Sequence, residues 1–286
     1  MWRGLLRTSR LVVPLVCRLR VSGAVPAELR PGPLILAANH ISPADPLIMM
    51  AACSRVGIAP RFMATGGLFR APVVGSIMRA CGHLRVDRHT AQVAQALPAA
   101  AAALRAGSVV LVYPEGRIGL DPWMWPERGK TGVARMAALS GAPVVPVAQW
   151  DTHRVLPYAA PAGLLRSLLR TVWQRPVVQV RFGAPVDLSG VTGTAGAQAM
   201  RATDRIMEGI AQTMVPLRTD QPHQPRHGDP TRPPDPSRIR HHRVAGAGLA
   251  GAGVAGTGVA GTGLTGAEVT GAEEAGAGMA GTGTPP

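Results

Sequence analysis

Between residues 30 and 215 short apolar runs and helical patterns take turns along the chain, and that alternation restricts the fold more than any other feature. Strand-like runs occur at 34–38, 61–64, 84–87, 109–113, 144–149 and 177–182. Helical patterns fill 46–56, 68–80, 91–106, 131–140, 164–173 and 197–214. Several of the strands are unbroken apolar runs, which implies that both faces of their sheet are covered. The expected fold is therefore α/β, a mixed and largely parallel sheet flanked by helices.

Three regions are expected: a basic amphipathic segment over 1–29, the α/β domain over 30–218, and a disordered tail over 219–286. The first alternates Arg3, Arg7, Arg10, Arg18 and Arg20 with Leu and Val, and Pro14 breaks its apolar stretch far short of a membrane span. It reads either as a helix lying on an anionic membrane surface or as a solvated helix packed on the domain. The tail begins with a Pro/His/Arg/Asp linker and ends in Gly/Ala-rich pentapeptides. Such a composition has little to bury and loses much backbone entropy on ordering. Gly246, Gly248 and Gly251 match a dinucleotide-binding fingerprint, but no strand or helix flanks them, so that match is rejected.

Charge narrows the partners. Of the 30 basic and 16 acidic residues, 25 and 10 lie in 1–219, a net charge of +15 there. A core so basic attracts phosphates or anionic lipid. Nucleic acid is not expected, because only three Phe and two Tyr are present and no Lys/Arg stripe or nucleic-acid motif occurs. Cys17, Cys53 and Cys81 lack metal-ligand spacing and read as small buried residues, with no metal site implied.

The chemistry-bearing segment starts where the 34–38 run delivers Asn39 and His40 to a strand's C-terminal end, the edge where open α/β sheets place their sites. Pro46 suits the first turn of the next helix, and Asp45 before it suits an N-cap. His40 and Asp45 thus stand at the two mouths of one tight loop. A carboxylate on one imidazole nitrogen fixes the tautomer and leaves the other nitrogen as a base. Further strand ends carry Arg88, a forked donor suited to phosphate, and the turn Tyr113-Pro114-Glu115-Gly116 followed by Arg117. Gly116 permits close backbone approach, and Lys130, the only lysine, opens a later helix. Trp123 and Trp125 either dip into a membrane interface or pack beneath a loop.

These blocks resemble the glycerolipid acyltransferases that acylate 1-acylglycerol-3-phosphate. The family's Asn-His-x4-Asp, Gly-containing block ending in Arg, Pro-Glu-Gly turn and Val-Pro-Val block correspond to Asn39-His40 with Asp45, Gly82 to Arg88, Pro114-Glu115-Gly116, and 144–147. The resemblance implies acyl transfer from acyl-CoA or acyl carrier protein, with no resident cofactor, to a lysophospholipid hydroxyl. It makes His40 the general base with Asp45 behind it. It puts Asn39, Arg88, Glu115, Gly116, Arg117 and Lys130 among the substrate-binding residues, and the protein peripherally on the cytoplasmic face of the plasma membrane. One departure is that Arg117-Ile118 stands where the family has Thr-Arg after the glycine. Another acceptor, or a non-catalytic basic module that binds membrane, is the alternative; a serine hydrolase is disfavoured because no Gly-x-Ser-x-Gly elbow occurs.

Overall fold

The computed structural model describes residues 2–87, 93–157, 164–218 and 233–240. The elements run α1 (Trp2–Val16), β1 (Arg18–Gly23), β2 (Leu34–Ala38), α2 (Asp45–Arg55), β3 (Arg61–Thr65), α3 (Gly66–Arg70) and α4 (Pro72–Ala80). They continue with β4 (Leu84–Val86), α5 (Val93–Arg105), β5 (Val109–Val112), α6 (Gly132–Ser140), β6 (Val144–Trp150), α7 (Leu164–Gln174), β7 (Val177–Phe182) and α8 (Ala195–Met214). The strands form one sheet in the order β1-β7-β6-β2-β5-β3-β4. From β6 to β4 every pairing is parallel; β7 is antiparallel to β6, and β1 is parallel to β7. The expected mixed, largely parallel α/β sheet is what the chain forms.

Its centre explains why the apolar runs did not alternate. All five residues of β2 are buried, Leu34, Leu36 and Ala38 on one face and Ile35 and Ala37 on the other. The first face packs against Ile48, Met49 and Ala52 of α2; the second packs against Ala100 and Leu104 of α5, Val133 of α6 and Ile206 of α8. Each fully buried Leu or Ile contributes roughly 1.5–3 kcal/mol relative to exposure. Because β2, β5, β3 and β4 run in parallel, their C-terminal ends, at Ala38, Val112, Thr65 and Val86, share one edge.

Three features depart from expectation. A seventh strand, β1, occupies a sheet edge within the segment read as wholly amphipathic. Its Leu19 is buried while Arg18 and Arg20 face solvent, a period-two pattern that also resembles a basic surface segment. Pro14 does not break the first helix, which continues to Val16; a proline in the last turn removes only a bond near the helix end. The helix expected over 68–80 is two helices, because Ala71 precedes Pro72 and takes an extended conformation (φ −62°, ψ 131°).

Helix α1 satisfies both readings of the N-terminus in part. Leu6, Ser9 and Val13 are buried and α1 packs on α2, while Arg3, Arg7, Arg10, Leu11, Val12 and Leu15 are exposed. None of the described helices is long and apolar enough to cross a membrane. Within the stretch read as a disordered tail, residues 233–240 form a turn packed on the domain; 219–232 and 241–286, including the glycine repeats, lie outside the described residues.

Candidate active site

The loop between β2 and α2 brings His40 and Asp45 together as the spacing implied. His40 Nδ1 lies 2.7 Å from Asp45 Oδ2. The same oxygen accepts from the backbone N–H groups of Ile41 (2.7 Å) and Ser42 (3.0 Å). An oxygen that already takes two donors acts as an acceptor, so the imidazole donates from Nδ1 and its Nε2 carries a lone pair. Asp45 is completely buried and His40 is 17% exposed through its side chain, which stacks on Tyr113 at 4.3 Å between centroids. Asp45 is not the N-cap. It is the first residue of α2, the cap is Ala44 in the right-handed helical region, and Pro46 is the second. The carboxylate turns back into the loop, which gathers three donors, and leaves the cap position without a side-chain acceptor.

Asn39 performs a different task from the substrate contact expected. Its amide donates to the Gln149 carbonyl (3.0 Å) and accepts from the Gln149 N–H (2.8 Å), while the Gln149 side chain donates to the Asn39 carbonyl (2.8 Å). These bonds join the ends of β2 and β6 and fix where the His40 loop departs. Asn39 is buried and does not line the cavity described below.

Glu115 is likewise internal. Its Oε1 accepts from the His40 N–H (2.9 Å) and its Oε2 from the Glu127 N–H (3.2 Å). Burial pushes its pKa up to about 8, against the two backbone hydrogen bonds that pull it down; the Glu127 and Asp45 carboxylates add smaller upward contributions. Arg117 turns away from the cavity to form a forked pair with Glu127, Nε to Oε2 at 3.1 Å and Nη2 to Oε1 at 3.3 Å. Gly116 has φ +70°, and a Cβ there would stand 3.2 Å from Lys130 Cδ and Cε. Arg88 lies outside the described residues.

His40, Gly116 and Lys130 share a cavity of about 600 Å³. Its walls are largely apolar, with Met50, Phe62, Leu68, Met78, Val86 and Leu97 among them. Lys130, Thr131, Gly132 and Arg135 line it where α6 begins, so two cations and a helix N-terminus face the same space. Sequence reading missed Arg135. Its one signal was a place five residues after Lys130, inside the helix that lysine opens. His83 is a second lining residue it did not single out. There Nδ1 accepts from the Phe62 N–H (3.1 Å), and Trp2 and Phe62 stand edge-on to the ring. Burial, assisted by the Arg61 charge, lowers its pKa to about 4.

The remaining candidates are structural. Trp125 is buried with Trp150, and the Arg218 guanidinium lies over both rings at 4.2 and 4.3 Å, so this tryptophan packs beneath a loop. The three cysteines are unpaired and buried, and burial pushes the thiols of Cys17 and Cys53 up to about 11 and 12, away from nucleophilic character. Among the described residues no three His, Cys, Asp or Glu side chains converge as a metal site.

Comparison with known proteins covers this region. The chain is 27% identical over 158 residues to the chloroplastic 1-acyl-sn-glycerol-3-phosphate acyltransferase of Brassica napus, a stretch that is 54% of this chain and 43% of the relative. It therefore spans less than half the length of that relative. The crystal structure of the 1-acyl-sn-glycerophosphate acyltransferase PlsC from Thermotoga maritima shares its fold, with a TM-score of 0.56 at 20% identity over 76% of this chain and 80% of that one. Residues 18–150, from the edge strand β1 through the His40 loop to the end of β6, match the Acyltransferase family.

Proposed function

We propose that the protein transfers an acyl group from an acyl thioester, acyl-CoA or acyl carrier protein, to the free hydroxyl of 1-acyl-glycerol-3-phosphate, giving phosphatidic acid. The observation that carries this reading is the His40–Asp45 pair at 2.7 Å beside an apolar cavity that also holds Lys130 and Arg135. His40 Nε2 takes the acceptor's hydroxyl proton as that oxygen attacks the thioester carbonyl carbon. Asp45 holds the ring and stabilises the imidazolium. The tetrahedral intermediate collapses, the carbon–sulfur bond breaks, and the imidazolium returns its proton to the leaving thiolate. The chain forms no covalent bond to the acyl group. Lys130, Arg135 and the first amides of α6 suit the acceptor's phosphate. The methionine- and leucine-lined wall suits an acyl chain.

A lipid acceptor resides in a bilayer, and the surface suits a peripheral position on an anionic one. Leu11, Val12 and Leu15 of α1 and Leu169, Val172 and Trp173 of α7 are exposed on two helices in contact, Trp173 to 90%. Arg3, Arg7 and Arg10 flank them.

The test incubates purified protein with acyl-CoA and a panel of lysolipids, following thiol release and lipid product. Equimolar thiol and phosphatidic acid from 1-acyl-glycerol-3-phosphate is the expected result. Binding to anionic vesicles with no thiol release on any lysolipid would leave only the membrane-binding module.

A further inference from the structure

Residues 233–240 touch the site from a stretch whose composition reads as a solvated linker. The turn there is self-made: Asp235 accepts from the Ser237 N–H (3.1 Å) and hydroxyl (2.6 Å), and the Arg238 N–H donates to the Asp235 carbonyl (3.0 Å). It aims Arg238 inward. Its Nη2 donates to the Glu115 carbonyl at 2.7 Å and the Arg128 carbonyl at 3.1 Å, and its Nε lies 3.4 Å from Glu127 Oε2. The Arg128 N–H in turn donates to the Arg238 carbonyl at 2.8 Å. Two residues on, Arg240 lies 3.4 Å from Glu208 and 3.8 Å from Asp204, both on α8.

One planar guanidinium thus grips two loops, the opposite ends of the single connection between β5 and α6. The first carries Pro114 and Gly116, the second Lys130, and all three line the cavity. The loops otherwise meet through the Glu127 N–H on Glu115 and the Lys130 N–H on the Pro114 carbonyl (2.8 Å). Glu127 is buried, and its carboxylate also takes the Arg117 fork and the Leu120 N–H (2.7 Å). We infer that Arg238 is a positioning residue that clamps the Gly116 and Lys130 loops into the wall receiving the acceptor's phosphate, so that residues 233–240 complete the site. The inference rests on the acyltransferase reading for its substrate, and on geometry alone for the clamp.

The planar fork reaches two carbonyls from Nη2 and a carboxylate from Nε, a spread that the point-like ammonium of lysine does not reproduce. Arg238→Lys should therefore recover only part of what Arg238→Ala loses. In the full chain, Arg238→Ala should raise the KM for 1-acyl-glycerol-3-phosphate by about ten- to a hundredfold, the scale of a misplaced binding group. The KM for acyl-CoA should move little, and kcat less than the acceptor KM. Amide hydrogen exchange should quicken across 113–130 while α2 and α8 keep their protection. Arg240→Ala, which loosens only the anchor on α8, should shift both readouts the same way by less.

Unchanged acceptor KM and unchanged exchange at 113–130 would overturn the inference. So would a uniform loss of protection with equal losses for both substrates, because Arg238 would then only stabilise the fold. If the wild type acylates no lysolipid, the functional reading fails by itself, and the exchange measurement still decides whether Arg238 holds the two loops.

Discussion

His40 and His83 face the same cavity, one from the loop after β2 and the other from the turn before β4, and their rings are wired in opposite senses. At His40 the partner of Nδ1 is a carboxylate that already collects two backbone donors, so Nδ1 holds the proton and Nε2 has the lone pair. At His83 the partner of Nδ1 is the Phe62 N–H, a donor, so Nδ1 spends its lone pair and Nε2 holds the proton. Two identical side chains a few residues from parallel strand ends thus differ in whether a base exists at all. What decides it is the polarity of one neighbour.

The largest expected effect breaks this comparison by giving both positions the same substitution. Asparagine keeps a polar atom near Nδ1 and has nothing at Nε2. His40→Asn should lower kcat by about 10²- to 10⁴-fold, the usual yield of general-base catalysis. Next comes Asp45→Asn, whose amide oxygen can still accept from the three donors but which removes the negative charge that stabilises the His40 imidazolium. Its loss of kcat should reach about a hundredfold or more, with the acceptor KM little changed. Turnover of Asp45→Asn close to the wild-type value would show that the imidazolium needs no carboxylate charge behind it.

The two histidines differ again in what holds their backbones. The His83 N–H donates to the Met78 carbonyl (3.0 Å), which does not titrate; the His40 N–H donates to Glu115, which does. Glu115 has a pKa of about 8 folded and an ordinary value near 4.5 otherwise, so the folded state holds its proton more tightly. Its contribution to stability is complete below pH 4.5 and is lost as the pH rises through 8. Glu115→Gln should be less stable at every pH, because its NH₂ opposes one of the two donors. Its denaturation midpoint should nevertheless fall less than the wild type's between pH 5 and 9. Parallel curves would mean that burial does not hold the proton on Glu115.

How much of this was legible in the sequence follows from distance along the chain. His40 and Asp45 lie in one loop, between a strand whose apolar run marks it and a helix whose Pro46 marks it, so local pattern was enough. Only the cap role read for Asp45 was wrong, because a carboxylate at a helix start serves a cap or a loop according to which way the backbone turns. Arg117 looked like a phosphate ligand until the chain returned with Glu127. The Gln149 that consumes Asn39 comes from another strand 110 residues away. Arg238 acts across 123 residues from a composition that suggests no structure. The fold was easier, since β2 and β5 are continuous apolar runs, but β1 was concealed by arginines that an edge strand can expose and a central one cannot.

The smallest effect sharpens the comparison from the other side. His83→Asn keeps an acceptor for the Phe62 N–H and removes the only titrating group at that position, so kcat should fall by less than about tenfold, against about 10² or more at His40. Stability should separate the two variants in the opposite direction. The His83 pKa is lowered to about 4 by burial and by Arg61, from an ordinary value of 6.5, so its contribution is present above pH 6.5 and is lost as the pH falls through 4. A wild-type midpoint that drops between pH 7 and 4 should drop less in His83→Asn, with the two curves running parallel above pH 7. Equal drops would place a second acceptor or a water behind His83, and the inversion between the two rings would then rest on His40 alone.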